Sequence, residues 1–143
     1  MRWLTHLGGA RVTLGTGVAL LPFGGATTRL GLTVLLANAL SHAAVQILKR
    51  TVVRARPCDP LGRSLAIVDL PDPFSFPSGH TAAAVSVAAT LTLAQPLLGP
   101  VLVPLAGLVG YSRVQLRVHY LTDVLAGAGV GLAGAIAALQ FLG

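Results

Sequence analysis

Two apolar stretches of bilayer-spanning length constrain the fold more than any other feature of this sequence. Residues 30–48 and 124–142 each run for nineteen residues without a Lys, Arg, Asp or Glu. A helix needs about 20 apolar residues to cross the hydrocarbon core of a membrane. Only 10% of the chain is charged, whereas soluble domains carry about 25% charged residues. The sequence therefore predicts an integral membrane protein.

Further apolar segments complete the predicted bundle. They cover residues 12–26, 78–98 and 101–112, and a turn is expected at 27–29. Gly127 and Gly131 offer a close-packing face on the last helix, within the chain or in a dimer. Period-2 alternation does not recur, which argues against a membrane β-barrel. We predict one all-α domain over residues 1–143, a polytopic transmembrane helical bundle of about five membrane helices.

Polar residues follow one face of the helix predicted at 30–48. Asn38, His42, Gln46 and Lys49 step along it at spacings of three or four residues. Residues at these spacings share a helix face, and polar groups in a membrane helix normally face the bundle interior. For His42, a structural hydrogen bond is favoured over a catalytic role, because polar contacts between membrane helices are common.

The tetrapeptide Pro77-Ser78-Gly79-His80 opens another of the predicted helices. Ser78 can cap the first N–H groups, and Gly79 lets an incoming group approach the backbone. A helix N-terminus offers unpaired N–H donors and the positive end of a dipole, which suits a phosphate. His80 would then lie beside the anion, able to exchange a proton near neutral pH. Taken alone, the tetrapeptide favours a simple capped helix, so its interpretation depends on its surroundings.

A cationic segment precedes this helix. Lys49, Arg50, Arg54 and Arg56 lie within eight residues. Lys49 and Arg56 are two helical turns apart, so they point the same way if the helix continues. Pro57 disfavours helix at Arg56 and is expected to end the helix there. Read by itself, the segment favours a positive flank that anchors the helix at the membrane surface.

A short polar segment follows the helix predicted at 101–112. It contains Arg113, His119 and Asp123. His119 and Asp123 are four residues apart, so the carboxylate can reach the imidazole ring. A carboxylate on one ring nitrogen fixes the tautomer and leaves the other nitrogen free to attack. The alternative is a simple capping or ion-pair contact.

These segments meet at one membrane face if all five helices cross. Three cations, a helix start, two histidines and a carboxylate then suit phosphoryl transfer, where catalysis is mostly positioning and charge stabilisation. The sequence has one cysteine, Cys58, and neither an acidic cluster for Mg²⁺ nor a Cys/His set for Zn²⁺, so we expect no metal and no cofactor. The converging residues are Lys49, Arg56, Ser78, Gly79, His80, Arg113, His119 and Asp123.

The three motifs resemble the signature of a known superfamily. They are Lys49-x6-Arg56-Pro57, Pro77-Ser78-Gly79-His80 and Ser112-Arg113-x5-His119-x3-Asp123. In order and in spacing they look like those of the type 2 phosphatidic acid phosphatases, which include lipid phosphate phosphatases, glucose 6-phosphatase and vanadium haloperoxidases. The resemblance covers residues 49–123. Many bacterial members have six membrane helices, whereas about five are predicted here.

The resemblance implies a role for each residue of the site. His119 would attack phosphorus and form a phosphohistidine, and Asp123 would orient His119. His80 would protonate the leaving oxygen and later activate water. The phosphate oxygens would be held by Lys49, Arg56, Ser78, Gly79 and Arg113.

The leading hypothesis is a membrane lipid phosphatase that acts on a phosphomonoester or diphosphate headgroup. Candidate substrates are phosphatidic acid, phosphatidylglycerol phosphate, prenyl phosphates or diphosphates, and prenyl-phosphate sugars bearing a terminal phosphate. One alternative is a non-catalytic membrane protein that binds or transports anionic lipid. A haloperoxidase is disfavoured, because membrane spans leave no soluble helical scaffold. Nucleic acid is not expected as a partner, since the basic residues lie between apolar spans. The sequence does not indicate an oligomeric state.

Two orientations of the site in the membrane are supported, each by a different argument. We expect a bacterial inner membrane, in which five crossings put Arg2, Arg11 and both polar loops on one side and Arg29 on the other. The excess of positive charge near the loops then places the site toward the cytoplasm. The resemblance to better-known bacterial relatives points outward instead. We favour the cytoplasmic side.

Overall fold

The fold is a bundle of α-helices, as predicted. The computed structural model of the chain describes residues 2–68 and 72–142, apart from the side chain of Arg2. Short 3₁₀ turns at Leu21–Phe23 and Pro96–Leu98 precede the third and fifth helices. The α-helices within the described residues are α1 (Arg2–His6), α2 (Ala10–Leu20), α3 (Gly25–Val52), α4 (Gly79–Ala94), α5 (Gly99–Gln115) and α6 (Leu121–Leu142).

Three segments in the described part of the chain are long and apolar enough to cross a membrane. They are Gly25–Val52, Pro96–Gln115 and Leu121–Leu142. The other two apolar helices, α2 and α4, are shorter. The apolar stretches that predicted membrane helices thus lie in helices of the structure, while the number of five crossings stays a prediction.

Helix α3 begins earlier than the sequence indicated. The turn predicted at residues 27–29 is wrong, because those residues lie inside α3. The chain turns instead at Gly24 and Gly25, whose φ angles are +76° and +53°. These left-handed conformations are open to glycine at little steric cost. The two glycines, rather than the polar residues after them, mark the reversal between α2 and α3.

Helix α3 also ends earlier than predicted, at Val52 rather than next to Pro57. Val53 takes a left-handed conformation, with a φ of +46°, and its N–H bonds to the carbonyl of Lys49. The chain beyond it pairs with a later segment: the Ser75 N–H donates to the Arg54 carbonyl at 2.8 Å, and Ala55 forms an isolated bridge with Phe74. This pairing takes over the backbone hydrogen bonds that a longer helix would make.

Helix α4 is the central element of the bundle. It contacts α2, α3, α5 and α6, and α6 also packs along α3. Small residues allow these helices to approach closely. Gly127 lies against the Ser78 carbonyl and Gly131 against Ala82. The predicted close-packing face therefore serves contacts within this chain.

We expect Gly127→Ala to destabilise the bundle. A Cβ at Gly127 would lie 2.5 Å from the Ser78 carbonyl oxygen, so α6 and the start of α4 would have to separate. Such overpacking costs about 1–3 kcal/mol, which should lower the midpoint of thermal unfolding in detergent. Gly129→Ala is the matched control, because the added Cβ has no atom of another described helix within 4 Å. Equal midpoints for the two variants would contradict this account of the packing.

Candidate active site

A cavity at one end of the bundle brings most of the predicted site residues together. Its volume is about 330 Å³, and it opens between the end of α3, the start of α4 and the end of α5. Asn38, His42 and Gln46 also line it, which confirms that the polar residues of α3 share one face. The predicted residues among its walls are Lys49, Arg56, Gly79, His80, Arg113 and His119.

Ser78 and Asp123 lie behind this wall. The Ser78 side chain is completely buried and caps α4: its hydroxyl oxygen accepts from the Thr81 N–H at 3.5 Å and from the Thr81 hydroxyl at 2.9 Å. This confirms the predicted cap. The Ser78 N–H donates to the Asp123 carbonyl at 2.9 Å, so that the start of α4 is fixed to the start of α6. The helix start and the His119–Asp123 segment are thus joined directly.

His119 and Asp123 are adjacent but not hydrogen-bonded. The His119 Nδ1 lies 3.7 Å from the Asp123 Oδ2, and it has no hydrogen-bond partner among the described residues. The other ring nitrogen, Nε2, lies 3.5 Å from a guanidinium nitrogen of Arg56. Nδ1 therefore faces the carboxylate and Nε2 faces Arg56, and the hold of Asp123 on the ring stays a prediction.

Burial favours the neutral form of the His119 ring. Desolvation lowers its pKa below 6.5, and the nearby charges of Arg113 and Arg56 act in the same direction, while Asp123 opposes them. A neutral imidazole has a lone pair on one ring nitrogen, and that nitrogen is Nε2 when the proton is on Nδ1, the nitrogen that faces Asp123. The ring is thus available as a nucleophile or a base at neutral pH.

Arg113 is buried and only partly satisfied. Its guanidinium donates to the Thr5 hydroxyl at 2.6 Å, so α1 contributes to the site. The Arg113 Nε has no partner among the described residues. A buried donor of this kind is costly unless something accepts from it. The cavity beside it is the natural place for an anion.

Two further residues of the site, Arg54 and Asp72, were not predicted to belong to it. Arg54 was noted only as one of several surface cations, yet it donates to the Asp123 Oδ1 at 2.9 Å and lies 4.2 Å over the Tyr120 ring. Asp72 contacts Lys49 and Arg56. Asp72 lies in a polar loop without periodicity, so no sequence pattern could have identified it.

His42 makes a contact within its own helix. The Gln46 Nε2 lies 3.5 Å from the His42 Nε2. This contact joins two residues of α3, so the predicted structural hydrogen bond of His42 to a neighbouring helix is not found among the described residues. In the described part of the chain, no three His, Cys, Asp or Glu residues are grouped as a metal ion would require.

The fold and the cavity define an apolar helical bundle with a cationic cavity at one end, which His80 and His119 also line. The chain belongs to the PAP2 superfamily, whose family profile matches residues 27–143. This confirms the resemblance drawn from the three motifs. The chain has long apolar helices, and this family contains membrane proteins. The chain is therefore an integral membrane protein.

Curated relatives carry phosphatase names. The chain is 45% identical over 93 residues to the decaprenylphosphoryl-5-phosphoribose phosphatase of Mycolicibacterium smegmatis, covering 62% of this chain and 47% of that protein. It is 34% identical over 149 aligned positions to phosphatidylglycerophosphatase B of Bacillus subtilis, covering 92% and 68%. The chain thus spans about half the length of the mycobacterial relatives it matches.

Two crystal structures share the fold. One is a transmembrane PAP2-type phosphatidylglycerolphosphate phosphatase from Bacillus subtilis, with a TM-score of 0.77 and 29% identity over 98% of this chain and 73% of that one. The other is Aquifex aeolicus LpxE, with a TM-score of 0.83 and 28% identity over 97% and 82%.

Proposed function

We propose that this chain is a membrane lipid phosphatase that hydrolyses a phosphomonoester or diphosphate headgroup without a metal ion. The observation that carries the proposal is the single cavity lined by His80, His119 and three cations. That cavity lies where α3 ends and α4 begins, so the phosphate would be held at the end of an apolar bundle. A lipid substrate could then keep its hydrocarbon chain in the membrane.

In the proposed first step, the phosphate oxygens contact Lys49, Arg56 and Arg113. The first N–H groups of α4, at Gly79, add donors at the positive end of the helix dipole. The His119 Nε2 attacks phosphorus, a P–N bond forms and the bond from phosphorus to the lipid oxygen breaks. His80 gives a proton to that oxygen, so the lipid leaves as a neutral alcohol or as the shorter phosphate.

The proposed second step returns the site to its starting state. His80 removes a proton from a water molecule, which attacks phosphorus and breaks the P–N bond. Inorganic phosphate leaves and His119 becomes neutral again. Throughout, Asp123 stabilises the positive charge that develops on the His119 ring, as a carboxylate does in hydrolytic triads. Acid–base help of the kind given to His80 is typically worth about 10²–10⁴-fold in rate.

A polyprenyl-linked phosphate is the substrate class that we propose first. The mycobacterial relatives are named for a decaprenyl-linked sugar phosphate, and another relative, from Sulfolobus acidocaldarius, is named undecaprenyl-diphosphatase. Glycerolipid phosphates are the alternative, in line with the Bacillus subtilis relative.

The proposed function is tested by phosphate release from a panel of these lipids. Purified wild-type protein in detergent should release inorganic phosphate in the presence of a metal chelator. His119→Ala should lower kcat by about a thousandfold or more, because the nucleophile is gone. His6→Ala, which removes an exposed histidine of α1, is the matched control. Lipid binding without turnover by the wild-type protein would favour a non-catalytic role, and full activity of His119→Ala would refute the assigned nucleophile.

We expect Arg54 to act as a positioning residue through Asp123. Arg54→Gln removes the 2.9 Å contact to the Asp123 Oδ1, and Asp123 can then orient His119 less well. We expect kcat to fall about tenfold, as for other supporting residues of an active site. KM should change little, since Arg54 does not line the cavity.

Steady-state kinetics of three variants check the role of Arg54. Arg54→Lys should recover part of the lost kcat, because it restores a positive charge near Asp123. Arg50→Gln removes an exposed arginine four residues earlier and should leave both constants unchanged. An unchanged kcat in Arg54→Gln, or a loss that appears in KM alone, would contradict the positioning role.

We further propose that the site faces the cytoplasm of a bacterial cell. The contact of Thr5 with Arg113 puts α1 at the end of the bundle that holds the site. Arg50, Arg54, Arg63 and Arg117 add positive charge at that end, whereas Arg29 lines a separate cavity with Leu142 near the opposite end. Loops rich in Lys and Arg usually stay in the cytoplasm.

Labelling of Cys58 decides the orientation. Cys58 is the one cysteine of the sequence and is exposed, two residues after Arg56. A membrane-impermeant maleimide should label it in inside-out vesicles and leave it unlabelled in intact cells. The double variant Cys58→Ser and Arg29→Cys should give the reverse pattern. Labelling of Cys58 in intact cells would place the site outside.

A further inference from the structure

A carboxylate of the chain already bridges two of the cations assigned to phosphate. The Asp72 Oδ2 lies 2.7 Å from the Lys49 Nζ, and the Asp72 Oδ1 lies 3.2 Å from a terminal guanidinium nitrogen of Arg56. All three residues line the same cavity as His80 and His119. The two carboxylate oxygens thus engage these cations as two oxygens of a phosphate would.

Asp72 is the solvent-exposed partner in its ion pairs with Lys49 and Arg56. The Lys49 and Arg56 side chains are only 9% and 6% exposed, whereas the Asp72 side chain is 30% exposed. Burial raises the pKa of Asp72, but the hydrogen bond from Lys49 and the charges of Lys49 and Arg56 outweigh it, and the net pKa is lowered. Asp72 is therefore ionised at neutral pH, and part of its carboxylate is open to solvent.

The backbone keeps Asp72 next to the cations. The Phe74 N–H donates to the Asp72 Oδ1 at 2.9 Å, and the Arg56 Nε donates to the Asp72 carbonyl at 3.0 Å. The bond to the carbonyl does not involve the carboxylate. The segment can therefore stay attached to Arg56 while the side chain turns away.

The Asp72 carboxylate does not pair with Arg113, the third cation of the cavity. The Arg113 Nε is buried without a partner among the described residues, and Asp72 makes no contact with Arg113 within ion-pair distance. A phosphomonoester has a second negative charge and more oxygens than a carboxylate. A phosphomonoester could therefore accept hydrogen bonds from all three cations at once.

We propose that Asp72 is an internal anion that occupies the phosphate-binding cations until a doubly charged phosphomonoester displaces it. The proposal rests on the proposed function, because it takes Lys49 and Arg56 as phosphate ligands. Asp72 then raises the Kd of every anion that must displace it by a similar factor. A phosphodiester carries a single charge, as Asp72 does, whereas a monoester adds a second charge. The monoester is therefore the anion that still binds against this competition.

The competing role for Asp72 is to position the cations, and it predicts the opposite sign. If Asp72 mainly holds Lys49 and Arg56 in place, its removal disorders them and weakens phosphate binding. If Asp72 competes with phosphate, its removal strengthens binding. A direct binding measurement separates the two roles without any turnover.

Calorimetric titration of the purified protein with inorganic phosphate, at a mildly alkaline pH where phosphate is doubly charged, provides the test. Asp72→Asn should lower the Kd for phosphate about fivefold, as expected when a partly exposed charge is removed from beside a bound anion. The Kd for diethyl phosphate, which is singly charged, should fall by a similar factor, because the same carboxylate has to leave before either anion binds. Asp59→Asn removes a carboxylate of the same loop that pairs with Arg63 instead and should change neither constant.

The outcomes separate failure of this inference from failure of the proposed function. Phosphate binding to the wild type with equal or weaker binding to Asp72→Asn overturns the role of Asp72 and leaves the phosphatase proposal standing. Absence of phosphate binding by both the wild type and Asp72→Asn overturns both. If Asp72→Asn unfolds, Asp72→Ser repeats the test, since a serine hydroxyl can still accept from the Phe74 N–H, and tighter phosphate binding is again expected.

Discussion

The burial of three cations at one end of an apolar bundle is the constraint on which the rest of this structure depends. Lys49, Arg56 and Arg113 are 7%, 7% and 4% exposed. A buried charge is costly unless it is paired and hydrogen-bonded. Part of this cost is offset by the ion pair with Asp72 and by hydrogen bonds to the Val118 carbonyl and the Thr5 hydroxyl. The Arg113 Nε has no partner among the described residues, and the cavity beside it is where we propose that an anion binds.

Small residues determine how closely the parts of the site approach. Gly127 allows α6 to lie against the Ser78 carbonyl, and the Ser78 N–H reaches the Asp123 carbonyl in return. The start of α4 and the start of α6 are therefore held together by one packing contact and one backbone bond. Since His80 belongs to the first element and Asp123 to the second, the geometry of the two histidines depends on that junction.

The sequence predicted the helices and most of the cavity for different physical reasons. Apolar runs of membrane length identified α3 and α6, because length and hydropathy are local properties. Six of the eight predicted site residues line the cavity, while Ser78 and Asp123 support it from behind. The roles of these residues in catalysis stay predictions, because they depend on a substrate.

What the sequence did not indicate depends on contacts between distant segments. The early end of α3 at Val52 follows from pairing of Arg54 and Ala55 with the segment around Phe74. The contact of Arg54 with Asp123 joins residues sixty-nine positions apart. Asp72 reaches Lys49 across twenty-three positions from an aperiodic loop. None of these contacts leaves a periodic or spaced pattern that a reading of residues could detect.

We propose that His119 becomes covalently bonded to phosphorus inside this cavity. Rapid acid-free quenching of the protein during turnover of a lipid carrying radiolabelled phosphate, followed by peptide mapping, tests this step. We expect label on the peptide that contains His119, with the alkali-stable and acid-labile behaviour of a phosphohistidine, and no label on His119→Ala. Turnover with no labelled peptide, or with label at another residue, would contradict it.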